Sequence, residues 1–237
     1  MKLSAPIFQL KRRAKLMARN NNFSLNEALD QIAREEGFAK WSLLSSRMSS
    51  ATLSETILSR LDKGDLLLLA GRPGHGKTTL GLQLLIDAAR DDRGASLFTL
   101  EFTEQQARRH LRTLEGDGGS VADGVQVVTA DEISADYIIQ YMSGSEPGTV
   151  AVIDYLQLLD QQRSKPVLSE QVQTLGDFAR RSGVVLVFIS QIDRSFDTES
   201  KRLPDIRDIR LPNFVDLGLF NKACFLHNGE AQLQDVA

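Results

Sequence analysis

Residues 71–78 read Gly-Arg-Pro-Gly-His-Gly-Lys-Thr, and no other segment limits the fold of this chain as tightly. The pattern G-x-x-x-x-G-K-T follows an apolar run, Leu66-Leu67-Leu68-Leu69-Ala70, and precedes a helical segment from Thr79 to about Ala89. A buried strand entering a glycine-rich turn that opens a helix is the setting of a phosphate-binding loop. The glycines let backbone N–H groups turn inward around β- and γ-phosphates, Lys77 adds a point charge, and Thr78 can ligate Mg²⁺. Gly71, Arg72, Pro73, Gly74, His75, Gly76, Lys77, Thr78 and Thr79 are therefore the candidate ATP-binding residues. His75 is expected to stand exposed in this loop without special chemistry.

The 237 residues suit one medium domain plus a small appendage, and a hydrophobic fraction of 42% supports an ordinary core. No run approaches the ~20 apolar residues needed to span a bilayer, and no secretory leader is evident, so a cytoplasmic protein is expected. The single Cys224 lies in Ala223-Cys224-Phe225-Leu226 and reads as a small buried hydrophobe in a reducing compartment. A net charge of −3 gives no global nucleic-acid signature, so any polyanion contact must come from local patches.

Residues 1–50 read as a separate helical unit. Lys11, Arg12, Arg13, Lys15 and Arg19 interleave with Ile7, Leu10, Ala14 and Leu16, and the spacing of Leu10, Ala14 and Met17 favours packing over DNA contact. Ser24-x-x-Glu27 is a capping box for a helix with Leu25, Ala28, Leu29, Ile32 and Ala33 on one face. Gly37 ends it, Phe38, Trp41 and Leu44 are its packing partners, and Ser45 to Ser54 reads as a polar linker. From residue 55 to 237 strands and helices alternate, the pattern of a parallel α/β sheet. Strands fit at 66–70, 96–101, 125–129, 149–154 and 184–190, with a last one at 223–227. Helices fit at 77–90, 103–114, about 134–142 and 168–181. The ligand belongs at the C-terminal ends of the strands.

Three further strand ends carry chemistry. Thr149-Val150-Ala151-Val152-Ile153-Asp154 is an apolar strand closing on a carboxylate, the Walker B arrangement that holds the Mg²⁺ shell. Hydrolysis also needs a group to take a proton from the attacking water. Tyr155 occupies the position after Asp154 where many such enzymes carry that Glu. Glu101, closing Ser96-Leu97-Phe98-Thr99-Leu100, is the better candidate, while Glu104 falls inside the next helix. Val184 to Gln191 is a very apolar strand ending in Ser190-Gln191, where an amide could read the γ-phosphate.

Together these segments resemble the RecA-like ATPase domain of the DnaB-type replicative helicases, within the wider RecA/KaiC group. Gly64-Asp65-Leu66 to Thr79 is similar to that family's PGDLxxxAxRPxxGKT entry, and Phe98-Thr99-Leu100-Glu101-Phe102 to its FSLEM segment. Val152-Ile153-Asp154-Tyr155-Leu156-Gln157-Leu158-Leu159 matches VIDYLQLM almost letter for letter, and Ile189 to Ser195 resembles LSQLNRS. The resemblance covers roughly residues 55–230. It implies a P-loop NTPase with a RecA-like parallel sheet flanked by helices. It also implies catalytic roles for Lys77, Glu101 and Gln191 as phosphate ligand, base and sensor, and Mg²⁺-holding roles for Thr78 and Asp154.

The departures bear on function. Lys201-Arg202-Leu203-Pro204 and Asp208-Ile209-Arg210 resemble the loop that tracks single-stranded DNA, which makes Lys201, Arg202, Arg207 and Arg210 candidate DNA contacts. Leu211-Pro212-Asn213, however, replaces that loop's polar continuation. In the family a hairpin after the last expected strand carries the Lys and Arg that reach a neighbouring subunit's ATP site. Here that finger is expected to be missing, truncated with the C-terminus, or replaced by Arg194, Arg202, Arg207 or Arg210. Two readings stay open. One is an ATP-driven DnaB-like helicase on single-stranded DNA, working as a homo-oligomeric ring or filament or with a larger replication or recombination partner. The other is an ATP-dependent switch or adaptor with slow or no hydrolysis.

Overall fold

The computed structural model describes residues 10, 13–18, 24–116, 119–130, 132–156, 159, 166–193, 196, 201, 203–210 and 215–236, the side chains of 46–52 excepted. The chain divides into two compact units, Met1–Leu53 and Ser54–Ala237.

In the first unit, helix α1 (Leu25–Glu35) starts where the sequence places its cap. The Glu27 amide donates to Ser24 Oγ at 3.2 Å, and the Ser24 amide donates to Glu27 Oε2 at 2.9 Å. Gly37, at φ +84°, turns the chain out of the helix, and Phe38 N–H closes on the Ala33 carbonyl at 2.8 Å. Leu10, Ala14, Ala28 and Ile32 form a small apolar cluster against which Leu29 and Trp41 pack. Lys11, Arg12 and Arg19 of the basic stretch lie outside the described residues. Helix α2 spans Trp41–Ser59 without interruption. The expected linker at Ser45 to Ser54 is therefore helical. The segment holds no Gly or Pro, and serine alone is only mildly unfavourable in a helix. The boundary between the units falls inside α2.

The second unit is built on one seven-stranded sheet, β1 (Leu66–Gly71), β2 (Ala95–Thr99), β3 (Gln126–Val128), β4 (Val150–Asp154), β5 (Val185–Gln191), β6 (Lys222–His227) and β7 (Glu230–Asp235). Its order is β3-β2-β4-β5-β1-β6-β7, parallel throughout except for the antiparallel β6–β7 pair. Helices α3 (Lys77–Arg90), α4 (Glu104–Glu115), α5 (Ala135–Met142) and α6 (Leu168–Ser182) connect and cover it. The central strands β1, β2 and β4 are buried at every residue, which is why they read as continuous apolar runs rather than alternating ones. Leu66, Leu68, Ala151, Ile153, Leu186 and Phe188 pack on one face with Ile138, Leu168, Val172 and Leu175 of α5 and α6. On the other, Gly81 of α3 comes close to Val152 and Ile189.

The sheet extends one strand beyond expectation. Residues 223–227 pair with a return strand, so the hairpin expected to be missing is present. It turns at Asn228-Gly229, with φ of +48° and +80°. Two left-handed residues between paired strand ends make a type I′ turn, for which Asn-Gly is the preferred dipeptide. Residues 223–237 contain no Lys or Arg, and Lys222, at the base of β6, sits 3.3 Å from Asp235 and 3.7 Å from Asp65.

Candidate functional site

The site lies at the C-terminal edge of the sheet. Gly71 ends β1 between Gln191 of β5 and Leu226 of β6. A Cβ at Gly71 would meet the Leu226 carbonyl oxygen at 2.9 Å, so strand packing alone calls for glycine here. Gly74 (φ +79°) and Gly76 (φ +85°) take left-handed conformations that let the loop curl, and Gly76 caps α3 without any side-chain acceptor. The first amides of α3 therefore open toward the loop, the arrangement that favours an anion.

Lys77 begins α3 and is 9% exposed, with Nζ donating to the Arg72 carbonyl at 3.0 Å. Loss of solvent pushes its ammonium below the ordinary lysine value, opposed by the charges of Asp154 and Glu101. Asp154, at the end of β4, is 2% exposed. Burial foremost, then the neighbouring Glu101 charge, raises its carboxyl to about 6, against a hydrogen bond from Thr78 and the Lys77 charge. Asp154 Oδ2 is buried and accepts no hydrogen bond. A carboxylate oxygen without a donor, next to a threonine hydroxyl and a lysine, fits a hard divalent cation, and Thr78 and Asp154 are the residues able to hold Mg²⁺.

Topology explains why Glu101 joins this group. Thr99 and Asp154 are register partners at the ends of adjacent β2 and β4. The chain bends just past Thr99, and the Glu101 amide donates to Thr99 Oγ1 at 3.0 Å. This exposed carboxylate then stands within electrostatic reach of Lys77 and Asp154. Its strand ends two residues earlier than the sequence pattern suggests, so Glu101 is carried by the bend and not by the ladder.

Gln191, the last residue of β5, pairs with Gly71 across the sheet. The segment beyond it returns to the same strand end. Asp193 N–H donates to the Asp208 carbonyl and Arg210 N–H to the Gln191 carbonyl, each at 2.7 Å. Of the candidate DNA contacts, Lys201 Nζ lies 2.6 Å from Asp205 and 2.7 Å from Asp208, and Arg207 lies 2.8 Å from Asp205. Hydrogen bonds from Arg207 and Lys201 hold the Asp205 carboxyl far below its usual range. Arg202, and Arg194 of the finger candidates, lie outside the described residues.

Two features escaped the sequence reading. A cavity of about 550 Å³ opens beside Thr78 and Thr79, walled by Leu82, Phe102, Arg109, His110 and Thr113. The Phe102 and His110 rings meet there in a tilted contact, with centroids 4.9 Å apart. His75, expected to be exposed and inert, is instead partly buried and stacked on His227 of β6 at 4.9 Å. The Asn228-Gly229 dipeptide was the available signal for that contact, because it announces a hairpin whose turn must come near the end of β1. Among the described residues no cluster of three or more His, Cys, Asp or Glu side chains suits a metal. No described helix is long and apolar enough to cross a membrane.

The profile of the family described as "AAA domain" matches residues 27–210. The chain belongs to this AAA domain family. Within it, this is a domain of RecA-like ATPase fold, distantly related to DnaB replicative helicases. It is 27% identical over 183 residues to the replicative DNA helicase DnaB of Helicobacter pylori, covering 64% of this chain and 38% of the relative. The DnaB of a Synechocystis strain is 26% identical over 181 residues, covering 63% and 21%. The chain thus spans well under half of either relative's length. Two solved structures share the fold. One, a DnaB-like replicative helicase described with its primase interactions, has a TM-score of 0.58 at 19% identity, covering 94% of this chain and 67% of that one. The other, a KaiC-like protein of Pyrococcus horikoshii, has a TM-score of 0.51 at 16% identity, covering 68% and 70%.

Proposed function

We propose that this AAA domain binds Mg-ATP in the Gly71–Thr79 loop and hydrolyses it, as a DnaB-like ATPase acting on single-stranded DNA. The observation that carries the reading is the convergence of Lys77, Thr78, Asp154 and Glu101 at one strand edge, with a buried Asp154 oxygen left without a donor. In this reading the loop amides and Lys77 hold the β- and γ-phosphates. The cavity beside Thr78 and Thr79 is large enough to receive the nucleoside, with Phe102 and His110 as aromatic walls. Mg²⁺, held by Thr78 and Asp154, would supply charge neutralisation at the phosphates.

Glu101 takes a proton from water as the water oxygen bonds to the γ-phosphorus. The bond from that phosphorus to the β–γ bridging oxygen breaks, and its electron pair leaves with ADP. In this reading Gln191, paired with Gly71 on the adjacent strand, senses the γ-phosphate and passes its loss to the segment that returns through Arg210. The test is ATP turnover and ADP binding by wild type, Lys77→Ala and Glu101→Gln. Loss of binding in the first variant and loss of turnover alone in the second support the assignment.

A second reading, an ATP-dependent switch with slow hydrolysis, is favoured by one observation. Lys201 and Arg207, offered by sequence as DNA contacts, are already paired with Asp205 and Asp208. Turnover that single-stranded DNA leaves unchanged would select this reading over the motor.

A further inference from the structure

The β6–β7 turn does more than reverse the chain. In a two-residue hairpin the flanking residues, here His227 and Glu230, pair with each other, and the first turn residue keeps an N–H that the ladder does not use. That N–H, of Asn228, donates to His75 Nδ1 at 3.1 Å, in the middle of the phosphate-binding loop. The two imidazoles stack with centroids 4.9 Å apart and planes inclined by 29°. His227 is 6% exposed, and its Nε2 lies 3.0 Å from Asn228 Nδ2. The edge of Phe196 meets the His227 ring, and Arg72 lies over Phe196 and bonds its carbonyl oxygen. The loop tip, the hairpin turn and the segment after β5 thus meet at one aromatic cluster.

We propose that His75, His227 and Asn228 form a latch that ties the phosphate-binding loop to the β6–β7 turn, and that a proton on His75 opens it. His75 Nδ1 can accept from Asn228 only when it carries no hydrogen, so the observed bond fixes the neutral ring with its proton on Nε2. A second proton would set two donors against each other at 3.1 Å. The charged or titratable groups around His75 are Arg72 and Lys77 from its own loop and His227 from β6. From the segment after β5, among the described residues, Phe196 adds only a neutral ring.

Loss of solvent, then those three neighbours, lowers the His75 value. A depressed folded value means the latch's contribution is complete above about 6.5, the unfolded value, and fades as pH falls through the folded one. Phosphates entering the loop bring negative charge beside Lys77 and favour the protonated ring. Nucleotide binding is therefore coupled to proton uptake at His75 and to release of the hairpin. This inference rests on phosphate binding at the Gly71–Thr79 loop.

The chain has three histidines, His75, His110 and His227, so their ring signals can be assigned by substitution and followed by NMR as pH varies. In the free protein His75 should titrate below the ordinary value of about 6.5, and the Asn228 amide shift should follow the same curve. Saturating ADP should move both midpoints upward together. His227→Phe, which keeps a ring against Phe196 and removes a titratable neighbour, should raise the free-protein midpoint of His75. An Asn228 amide that ignores the His75 titration, or a His75 midpoint unmoved by ADP while Gly71 to Thr78 amides shift, overturns the latch. If ADP shifts none of those amides, the phosphate site itself is misplaced.

Discussion

At the scale of single residues, the candidate ligand-facing positions were legible because the chemistry proposed for them dictates their type. A loop that curls around phosphates needs residues at positive φ, and Gly74 and Gly76 are such residues. Lys77 could be read from its place at the end of the G-x-x-x-x-G-K-T loop, and Asp154 because an apolar strand ending in a charge has few other uses. We expect Lys77→Ala to remove measurable nucleotide binding in calorimetry, since the helix start then lacks its buried cation. Glu101→Gln should bind ADP and ATP as wild type does and lose turnover by two or more orders of magnitude, a typical cost for a missing general base. Retained turnover would place the base elsewhere.

Gly71 was legible only in part. Sequence gave it a phosphate role, whereas its Cβ position 2.9 Å from the Leu226 carbonyl shows a packing role too. Gly71→Ala should therefore lower stability by about 1–3 kcal/mol in urea unfolding even without nucleotide. Cys224 behaves as its apolar neighbours suggested, fully buried with its thiol pushed up to about 12 by burial. It should resist alkylation at pH 8 in the native state and react once urea unfolds the chain.

Among the elements of the sheet unit, helices α3 to α6 were read to within a residue or two from their apolar faces, and the central strands because burial on both faces writes itself as a continuous apolar run. Helix α2, by contrast, was missed where its serines read as a linker. What stayed hidden was β7, whose residues are all exposed or half-buried and include Glu230, Gln232, Gln234 and Asp235. A polar edge strand carries little periodic signal, and only the Asn228-Gly229 turn announces it. The loop after β5 was hidden for another reason, since pairing between charges cannot be read from their spacing.

Residues 201–210 hold four cations against two carboxylates, a balance of +2. Lys201 and Arg207 would have to leave Asp205 to reach a phosphate. We expect oligo-dT anisotropy to show weak binding whose log-log salt slope is shallow, about −1.4 for two net phosphate contacts per chain. Asp205→Asn, which removes the carboxylate shared by both cations, should tighten binding and steepen that slope. Equal slopes in the two proteins would mean that this loop does not carry DNA.

For the whole molecule, the question is whether the site is complete within one chain. Lys77, Thr78, Asp154, Glu101 and Gln191 lie at or just beyond the C-terminal ends of four neighbouring strands, so on the proposed reading binding and water activation would need only this fold. On the proposed reading, the charge that develops on the γ-phosphate in the transition state would be met by a further cation, which in phosphoryl-transfer enzymes comes from the same chain or a second one and is worth about 10³–10⁵ in turnover. The hairpin that would present such a group is present, but its cation nearest the turn is Lys222, already engaged by Asp65 and Asp235 at its base. On the proposed reading, an assembly of this chain alone would use an arginine outside the hairpin or hydrolyse slowly.

Turnover per chain measured from nanomolar to tens of micromolar protein, with and without single-stranded DNA, separates these cases. A rate that climbs steeply with concentration and again with DNA means that contact between chains supplies the missing charge. In that case arginine-to-alanine variants mixed with Glu101→Gln chains should show which chain donates it. A slow rate independent of both variables means that each chain works alone. The hairpin's contact with His75 would then make nucleotide occupancy, rather than repeated hydrolysis, the quantity that the fold transmits.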